Sequence, residues 1–426
     1  MPTGLGTTRK EISTGATITT VSPQPRVALV VTSDRAVLLL RGQVQYLQRL
    51  GFDVTLICSP GEWLDALGRM EGVQIIELSI ARDIAPLRDL VSLWRLWRIL
   101  HRLCPDLTNV GTPKAGLLGG FAAWVARIPC RFYTLRGLRF ETTNGLKRWL
   151  LVYAERLACC FAHRVICVSP SLREKAVASG FTSRERTVVF GSGSSNGVDA
   201  SRFAPTPERI RRGAELRLQL GIPSPAPVVG FVGRLTCDKG VPELVEAFLR
   251  LSDQFPDLRL LLLGCFEEED PLPVQTRRYI EMNRHVIFAG LIEDTAPYYA
   301  LMDILVLPSH REGFPNVVLE AHAAGKPVVA ARATGVVDAV VDGKTGLLFP
   351  VGDAAALADA LAKLLTNKTL AGKLGCAGQE RIKREFRQER IWEALCEEYV
   401  RRLKMEGRPL PVMPAQAEAR SGGEVQ

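Results

Sequence analysis

At 426 residues the chain is long enough for two domains of ordinary size, each with its own core. Its net charge of +9 is confined to one half: 23 Lys/Arg stand against 14 Asp/Glu between Arg26 and Asp199, and the remainder is close to neutral. The ten cysteines show no CxxC pair and no metal-ligand spacing, and no zinc-finger, RNP-like or interleaved aromatic-basic block speaks for nucleic acid, so the cysteines read as reduced core residues of a cytoplasmic protein. Residues 1–25, rich in Thr, Ser and Gly, hold no continuous apolar stretch and read as a flexible segment, not a signal peptide. Residues 26–32 predict the first strand, 37–50 a helix stopped by Gly51, and 53–58 the second strand. A strand at 74–78 and a helix at 84–103 follow. Residues 107–110 precede a Gly-Thr-Pro-Lys-Ala-Gly loop and an Ala/Gly-rich helix, and strands at 131–135 and 164–168 complete an N-terminal domain of 26–200. Residues 201–227 read as a linker with a basic helix at 209–220. A second domain, 228–378, holds strands at 228–232, 258–263, 286–288, 304–307, 327–331 and 346–349. A last helix at 379–404 carries Phe386, Trp392 and Tyr399, and residues 405–426, rich in Pro and Gly, read as a disordered tail. No stretch is apolar over the roughly 18 residues that a membrane helix needs. Strand and helix alternate throughout, which predicts an α/β protein with two doubly wound parallel sheets.

The densest chemistry lies at Glu312-Gly313-Phe314-Pro315-Asn316-Val317-Val318-Leu319-Glu320. The buried run before it ends at Pro308, which cannot donate to a strand ladder. Glu312 is therefore expected on a loop at the C-terminal edge of a sheet, and Glu320 one to two turns into the next helix, facing the same crevice. Helix N-termini at such edges offer free N–H groups to anions and sugars. Upstream, a strand runs into Gly233-Arg234, with Lys239-Gly240 opening the next helix. Alone, each cation would read as a solvated surface residue. A guanidinium fork and an ammonium at one strand end also suit a diphosphate.

These segments resemble the retaining, nucleotide-sugar-dependent glycosyltransferases of family 4. Glu312 to Glu320 looks like their E-x₇-E signature, and Gly233-Arg234 with Lys239-Gly240 looks like their phosphate-binding pair. Ala333-Thr334-Gly335 and Asp342-Gly343 through Gly352-Asp353 are similar to their closing block. The resemblance implies the GT-B fold: two Rossmann-like domains, an interdomain cleft, and a terminal helix that crosses back to the first domain. It implies that Arg234, Lys239 and Glu312 carry catalysis. It assigns donor binding to Gly233, Arg234, Lys239, Leu291, Glu312, Gly313, Phe314, Asn316, Val317 and Glu320. Glu320 would accept from the ribose hydroxyls, Glu312 would lie by the donor sugar, and Leu291 by the base. The donor would be a UDP-sugar. The acceptor would be a glycan linked to a polyprenyl diphosphate at the cytoplasmic membrane face, in surface-polysaccharide assembly (exopolysaccharide, lipopolysaccharide or capsule). No cofactor and no metal are expected, because the two cations can take the charge of the diphosphate.

One position departs from the family. In Tyr133-Thr134-Leu135-Arg136-Gly137, Arg136 stands where many members have histidine. Arginine stays protonated and cannot act as a base. With Arg35 it is expected near the acceptor or the sugar. The substitution leaves open a catalytically silent binding subunit, and a soluble acceptor stays open as well. The helix bearing Arg88, Arg95, Arg98 and Arg102 also carries Leu90, Leu93, Trp94, Trp97 and Leu100 on one face. That composition fits either a core-packed helix or peripheral contact with an anionic membrane.

Overall fold

Short runs of Val, Leu, Ile and Ala punctuated by Gly and Pro form buried parallel strands, because a sheet covered on both faces needs apolar residues on both. The computed structural model describes residues 24–61, 73–80 and 85–411, apart from the side chains of Arg35 and Pro86. Among them the first sheet holds β1 (Arg26–Val30), β2 (Asp53–Cys58), β3 (Gln74–Glu77), β4 (Leu107–Val110), β5 (Cys130–Leu135), β6 (Arg164–Cys167) and β7 (Thr187–Val188). Its order is β3-β2-β1-β4-β5-β6-β7, all parallel. The second holds β8 (Val228–Val232), β9 (Arg259–Leu263), β10 (Val286–Gly290), β11 (Ile304–Leu307), β12 (Val328–Ala331) and β13 (Gly346–Phe349). Its order is β10-β9-β8-β11-β12-β13, again parallel. In each sheet the chain reverses its direction of winding once, between β1 and β4 and between β8 and β11. A crevice opens at such a switch point beyond the strands' C-terminal ends. The loops after these four strands face one another across the gap between the domains.

Right-handed crossovers fix which face each helix covers. Helices Pro86–Leu103, Pro113–Val125 and Gly145–Phe161 belong to connections running one way along the first sheet and share one face. Helix Gln43–Arg49 belongs to a connection running the other way, and it packs on the opposite face with helix Gln388–Met405. That terminal helix lies on the first domain. Tyr399 packs against Phe132 and Phe52 and accepts from Asn109 Nδ2 at 2.6 Å, and Glu398 pairs with Arg164 at 2.7 Å.

Several elements differ from the sequence expectation. Residues 37–50 are not one helix but a 3₁₀ turn, Asp34–Leu40, and then helix Gln43–Arg49. Gly42 breaks them at φ 78°, and a Cβ there would lie 2.6 Å from the Trp392 ring. Residues 379–404 are likewise not one helix: Lys368–Glu385 ends at Phe386, and Gln388–Met405 begins anew. Phe386 is fully buried, stacks on Phe314 at 5.4 Å, and its carbonyl accepts from Val198 N at 2.9 Å. Those contacts pull it out of helical geometry. Within the expected linker, helix Pro207–Gln219 packs on helix Ala296–Leu301, where a Cβ on Gly213 would lie 3.0 Å from that of Ala300. The expected disordered tail is ordered at its start: Arg408 pairs with Asp106 at 2.8 Å and Pro411 is buried. Residues 1–23 and 412–426 lie outside the described residues. Among the described residues no helix is long and apolar enough to cross a membrane.

Candidate functional site

The floor of the crevice is the loop after β8. Gly233 and Gly264 meet there so closely that a Cβ on Gly264, at φ 145°, would lie 1.8 Å from the Gly233 carbonyl oxygen. Gly240, at φ 70°, caps helix Val241–Leu251 and would strike the Pro308 carbonyl at 2.2 Å if it carried a Cβ. Only glycine allows these approaches. They hold the β8 and β11 loops together and fix Arg234 and Lys239 between them.

Neither cation stands open, unlike the simple picture of two side chains waiting for phosphate. Arg234 Nη1 bonds Glu267 Oε2 at 2.7 Å and its Nη2 lies 3.5 Å from Asp238 Oδ2. Lys239 Nζ bonds Glu312 Oε1 at 2.6 Å. Arg311 Nη2 bonds Asp238 Oδ2 at 2.7 Å. Burial alone would push the Asp238 carboxyl up, but the Thr236 hydroxyl and the Arg311 and Arg234 guanidiniums outweigh it and hold the group below its ordinary range. Partly buried cations beside carboxylates pair with them, because a charge left unpaired away from water is costly.

The Glu312 loop is pinned between the domains. A Cβ on Gly313 would lie 2.0 Å from the Arg136 carbonyl oxygen, and one on Gly335 would lie 2.3 Å from the Gly313 carbonyl oxygen. The Phe314 side chain is buried on Gly193 and Phe386. Helix Asn316–Ala323 follows, with Val318 and Leu319 in the core. Asn316, Val317 and Glu320 line a cavity of about 800 Å³ with Leu291, Ile292, Arg202, Arg209 and Arg41. Glu320 Oε2 accepts from the Tyr299 hydroxyl at 2.7 Å, and burial raises the Glu320 pKa despite that bond. Asn316 Oδ1 is buried without a hydrogen-bond partner, an orphan of the kind a ligand satisfies.

A second cavity, of about 590 Å³, is lined by Ser33, Thr112 and Lys114 of the first domain and by Gly233, Arg234 and Glu267 of the second. Val232, Leu291 and Ile292 line both cavities and join them into one cleft. The structure thus brings Gly233, Arg234, Leu291, Asn316, Val317 and Glu320 to one space. Glu312, expected to face the same crevice as Glu320, is paired with Lys239. Arg136 ends β5 with Nε on the Gly111 carbonyl at 2.9 Å, its Nη1 covered and unpartnered. Burial lowers its pKa to about 10, so it remains a cation at neutral pH. Arg35 lies in the Asp34–Leu40 turn, and its side chain is outside the described residues. Tyr299, Arg311 and Arg202 escaped the sequence reading. They come from separate loops and helices, and no spacing links them to the residues they touch. Among the described residues no group of three or more His, Cys, Asp or Glu is placed to hold a metal ion.

Comparison with known proteins agrees with this architecture. A family model described as glycosyl transferases group 1 matches residues 226–367, and one described as glycosyl transferase 4-like domain matches residues 39–193. The chain is 34% identical over 366 residues to the capsular polysaccharide biosynthesis glycosyltransferase CapM of Staphylococcus aureus, covering 86% of this chain and 94% of that one. It is 26% identical over 330 residues to the Escherichia coli UDP-Gal:alpha-D-GlcNAc-diphosphoundecaprenol alpha-1,3-galactosyltransferase, covering 75% and 81%. Among solved structures, HepE of Anabaena in complex with UDP and glucose superposes with a TM-score of 0.73 at 24% identity, covering 88% of this chain and 99% of that one.

Proposed function

The chain belongs to the group 1 glycosyltransferases and has their GT-B fold, and from that premise we propose that it moves a sugar from a UDP-sugar, with retention, to a polyprenyl-diphosphate-linked glycan in surface-polysaccharide assembly. The observation that carries this reading is the joined cleft, where Arg234, Leu291, Asn316, Val317 and Glu320 converge from the second domain on loops of the first. CapM supports the polysaccharide setting, and the E. coli galactosyltransferase supports the acceptor class by the diphosphoundecaprenol in its name.

In this reading the diphosphate draws Arg234 and Lys239 from their carboxylate partners. Both cations then stabilise the charge that grows on the leaving nucleoside diphosphate. No metal is needed for that neutralisation. Glu320 accepts from the ribose hydroxyls, and the free N–H groups at Asn316 and Val317 face the sugar or the distal phosphate. Retention follows from attack on the face the phosphate leaves, with the leaving phosphate taking the acceptor's proton, so Arg136 need not act as a base. The enzyme works at the cytoplasmic membrane face.

The test is UDP release from a panel of UDP-sugars with a polyprenyl-diphosphate-linked acceptor, with the product's anomeric configuration read by NMR. Release of UDP with an α-linked product from an α-donor is expected. UDP binding without release, for every donor and acceptor tried, would mark a silent binding subunit and end the proposal.

A further inference from the structure

The helix Gly145–Phe161 is amphipathic in the wrong sense for a buried connection. Leu146, Trp149, Leu150 and Tyr153 follow one another at helical spacing, and they are 78%, 72%, 51% and 54% exposed. An apolar stripe of this kind on a helix surface marks a contact with another phase or molecule. The stripe is not isolated. Trp124 and Val125, at the end of the neighbouring helix, are exposed, and Trp124 stacks near Phe161 at 5.8 Å. Leu87, Leu90, Val91 and Trp94 are exposed on helix Pro86–Leu103, the next in the same layer. That helix is thus split: Leu96 and Leu100 enter the core and Leu93 packs against it, while Leu90 and Trp94 on the other side stay exposed.

The charge of the layer is as one-sided as its hydrophobicity. These three helices, with Arg127 just beyond the second, carry nine Lys/Arg and two Asp/Glu. Of the two acids, Asp89 is paired with Lys114 at 2.7 Å and Glu155 is buried against Tyr133. Arg95, Arg98 and Arg102 line a surface cavity of about 450 Å³ beside Trp94. Exposed tryptophan and leucine among an excess of arginine and lysine complement an anionic lipid surface.

The stripe also starts at the right place. Lys147, in the first turn of Gly145–Phe161, lines a cavity of about 260 Å³ with Arg139, Thr142, Arg311 and Arg234. Arg234 belongs to the donor cleft as well. The apolar stripe therefore begins at a basic mouth that leads to the donor phosphates.

We infer that helix Gly145–Phe161 is the edge by which the enzyme seats on an anionic bilayer, and that the acceptor's diphosphate enters from that bilayer past Lys147 and Arg139. This rests on the lipid-linked acceptor proposed above. The lipid tail stays in the membrane beside Trp149 and Leu150, and only the diphosphate-sugar head crosses to the cleft.

The test uses the full chain and vesicles of phosphatidylcholine, with or without phosphatidylglycerol. The variant W149S/L150S keeps every charge, and R148E/R156E keeps every apolar side chain. Thermal unfolding confirms that each is folded. Cosedimentation of the wild type with acidic vesicles is expected, falling with added salt, and each variant should partition at least about tenfold less. Transfer to a short-chain, water-soluble acceptor should be unchanged, while transfer to the long-chain acceptor in vesicles should drop with the partition. Equal sedimentation of wild type and W149S/L150S would overturn the inference. So would binding that is indifferent to phosphatidylglycerol, or a stripe that instead mediates self-association abolished by the same variant. Loss of all transfer by the wild type, to either acceptor, would instead defeat the functional proposal and leave the vesicle result standing.

Discussion

Replacing Glu312 by glutamine tests whether the clamp on Lys239 competes with the donor. Lys239 Nζ and Glu312 Oε1 lie 2.6 Å apart, and only 17% and 14% of the two side chains reach solvent. At an effective dielectric constant of about 20, unit charges at that spacing attract by about 6 kcal/mol gross. Desolvation of both groups cancels much of this. A diphosphate that reaches Lys239 must displace the carboxylate or lie beside it as a like charge. Neutralising Glu312 removes the competitor and the repulsion together. A net gain of only about 1.4 kcal/mol makes UDP bind about tenfold tighter. Titration calorimetry with UDP should show that tightening, while turnover with the full donor falls if the carboxylate lies beside the reacting sugar, as the resemblance implies. Weaker or unchanged UDP affinity in a folded Glu312→Gln protein would refute the clamp.

Arg234→Ala should lower turnover on the order of a hundredfold by removing one charge from the leaving diphosphate, with the melting temperature little changed; near-normal kcat/KM would contradict the assignment. Activity should survive EDTA, and loss restored by added magnesium or manganese would transfer the diphosphate charge to a metal. Glu320→Gln should raise the donor KM and spare kcat, because ribose contacts are common to ground and transition states. Since burial raises the Glu320 pKa, the wild-type KM should also climb as pH falls through that raised value, and the variant should not. Glu155 offers a separate check on the first domain's core: burial raises its pKa to about 7, although the Tyr133 hydroxyl bond lowers it. The folded state then holds the proton more tightly than the unfolded one. Stability therefore falls as pH rises from about 4.5 to about 7, by about 3 kcal/mol in all. Glu155→Gln should melt higher than wild type at pH 8 and gain nothing at pH 4.5.

The two sheets were legible because their strands are apolar runs that end at glycine or proline, as at Gly233 and Pro308. The broken helices were not. Nothing local at Phe386 says where the helix stops, and a single glycine such as Gly42 inside a helical pattern is often tolerated. Trp392, hundreds of residues away in sequence, leaves no room for a side chain at position 42, and Phe314 recruits Phe386 into the core. The site divides the same way. Gly233, Arg234, Asn316, Val317 and Glu320 sit in two short motifs, so the chain order presents them. Their partners do not: Glu267 reaches Arg234 from the β9 loop, and Tyr299 reaches Glu320 from another helix. Those pairings belong to the fold, and they turn two apparently free cations into two clamped ones.

The seam between the domains bears on that clamp. Gly313 touches the Arg136 carbonyl on one side and Gly335 on the other, with no room for a methyl group. Around this point Arg311 donates to Thr142 at 2.9 Å, Thr334 to Glu141 at 2.7 Å, and Ser171 N to Asp338 at 3.0 Å. These contacts are polar, each contributing about 1 kcal/mol, and they flank an apolar seam in which Phe314 and Val336 share one buried cluster with Leu138 and Val168. Of the residues that make the polar contacts, Arg311 precedes Glu312 directly, and Glu141 and Thr142 lie on the segment that follows Arg136. The Glu312 loop is thus held from both domains, and the geometry that sets Glu312 against Lys239 depends on both. The Phe314–Phe386 contact lies where the chain turns back to the first domain, so the same loop is also anchored to the crossing point. Contacts from both domains and from the crossing point thereby converge on one short stretch, Glu312 to Phe314. A site that needs both domains in place would exclude water from an activated donor better than either domain alone.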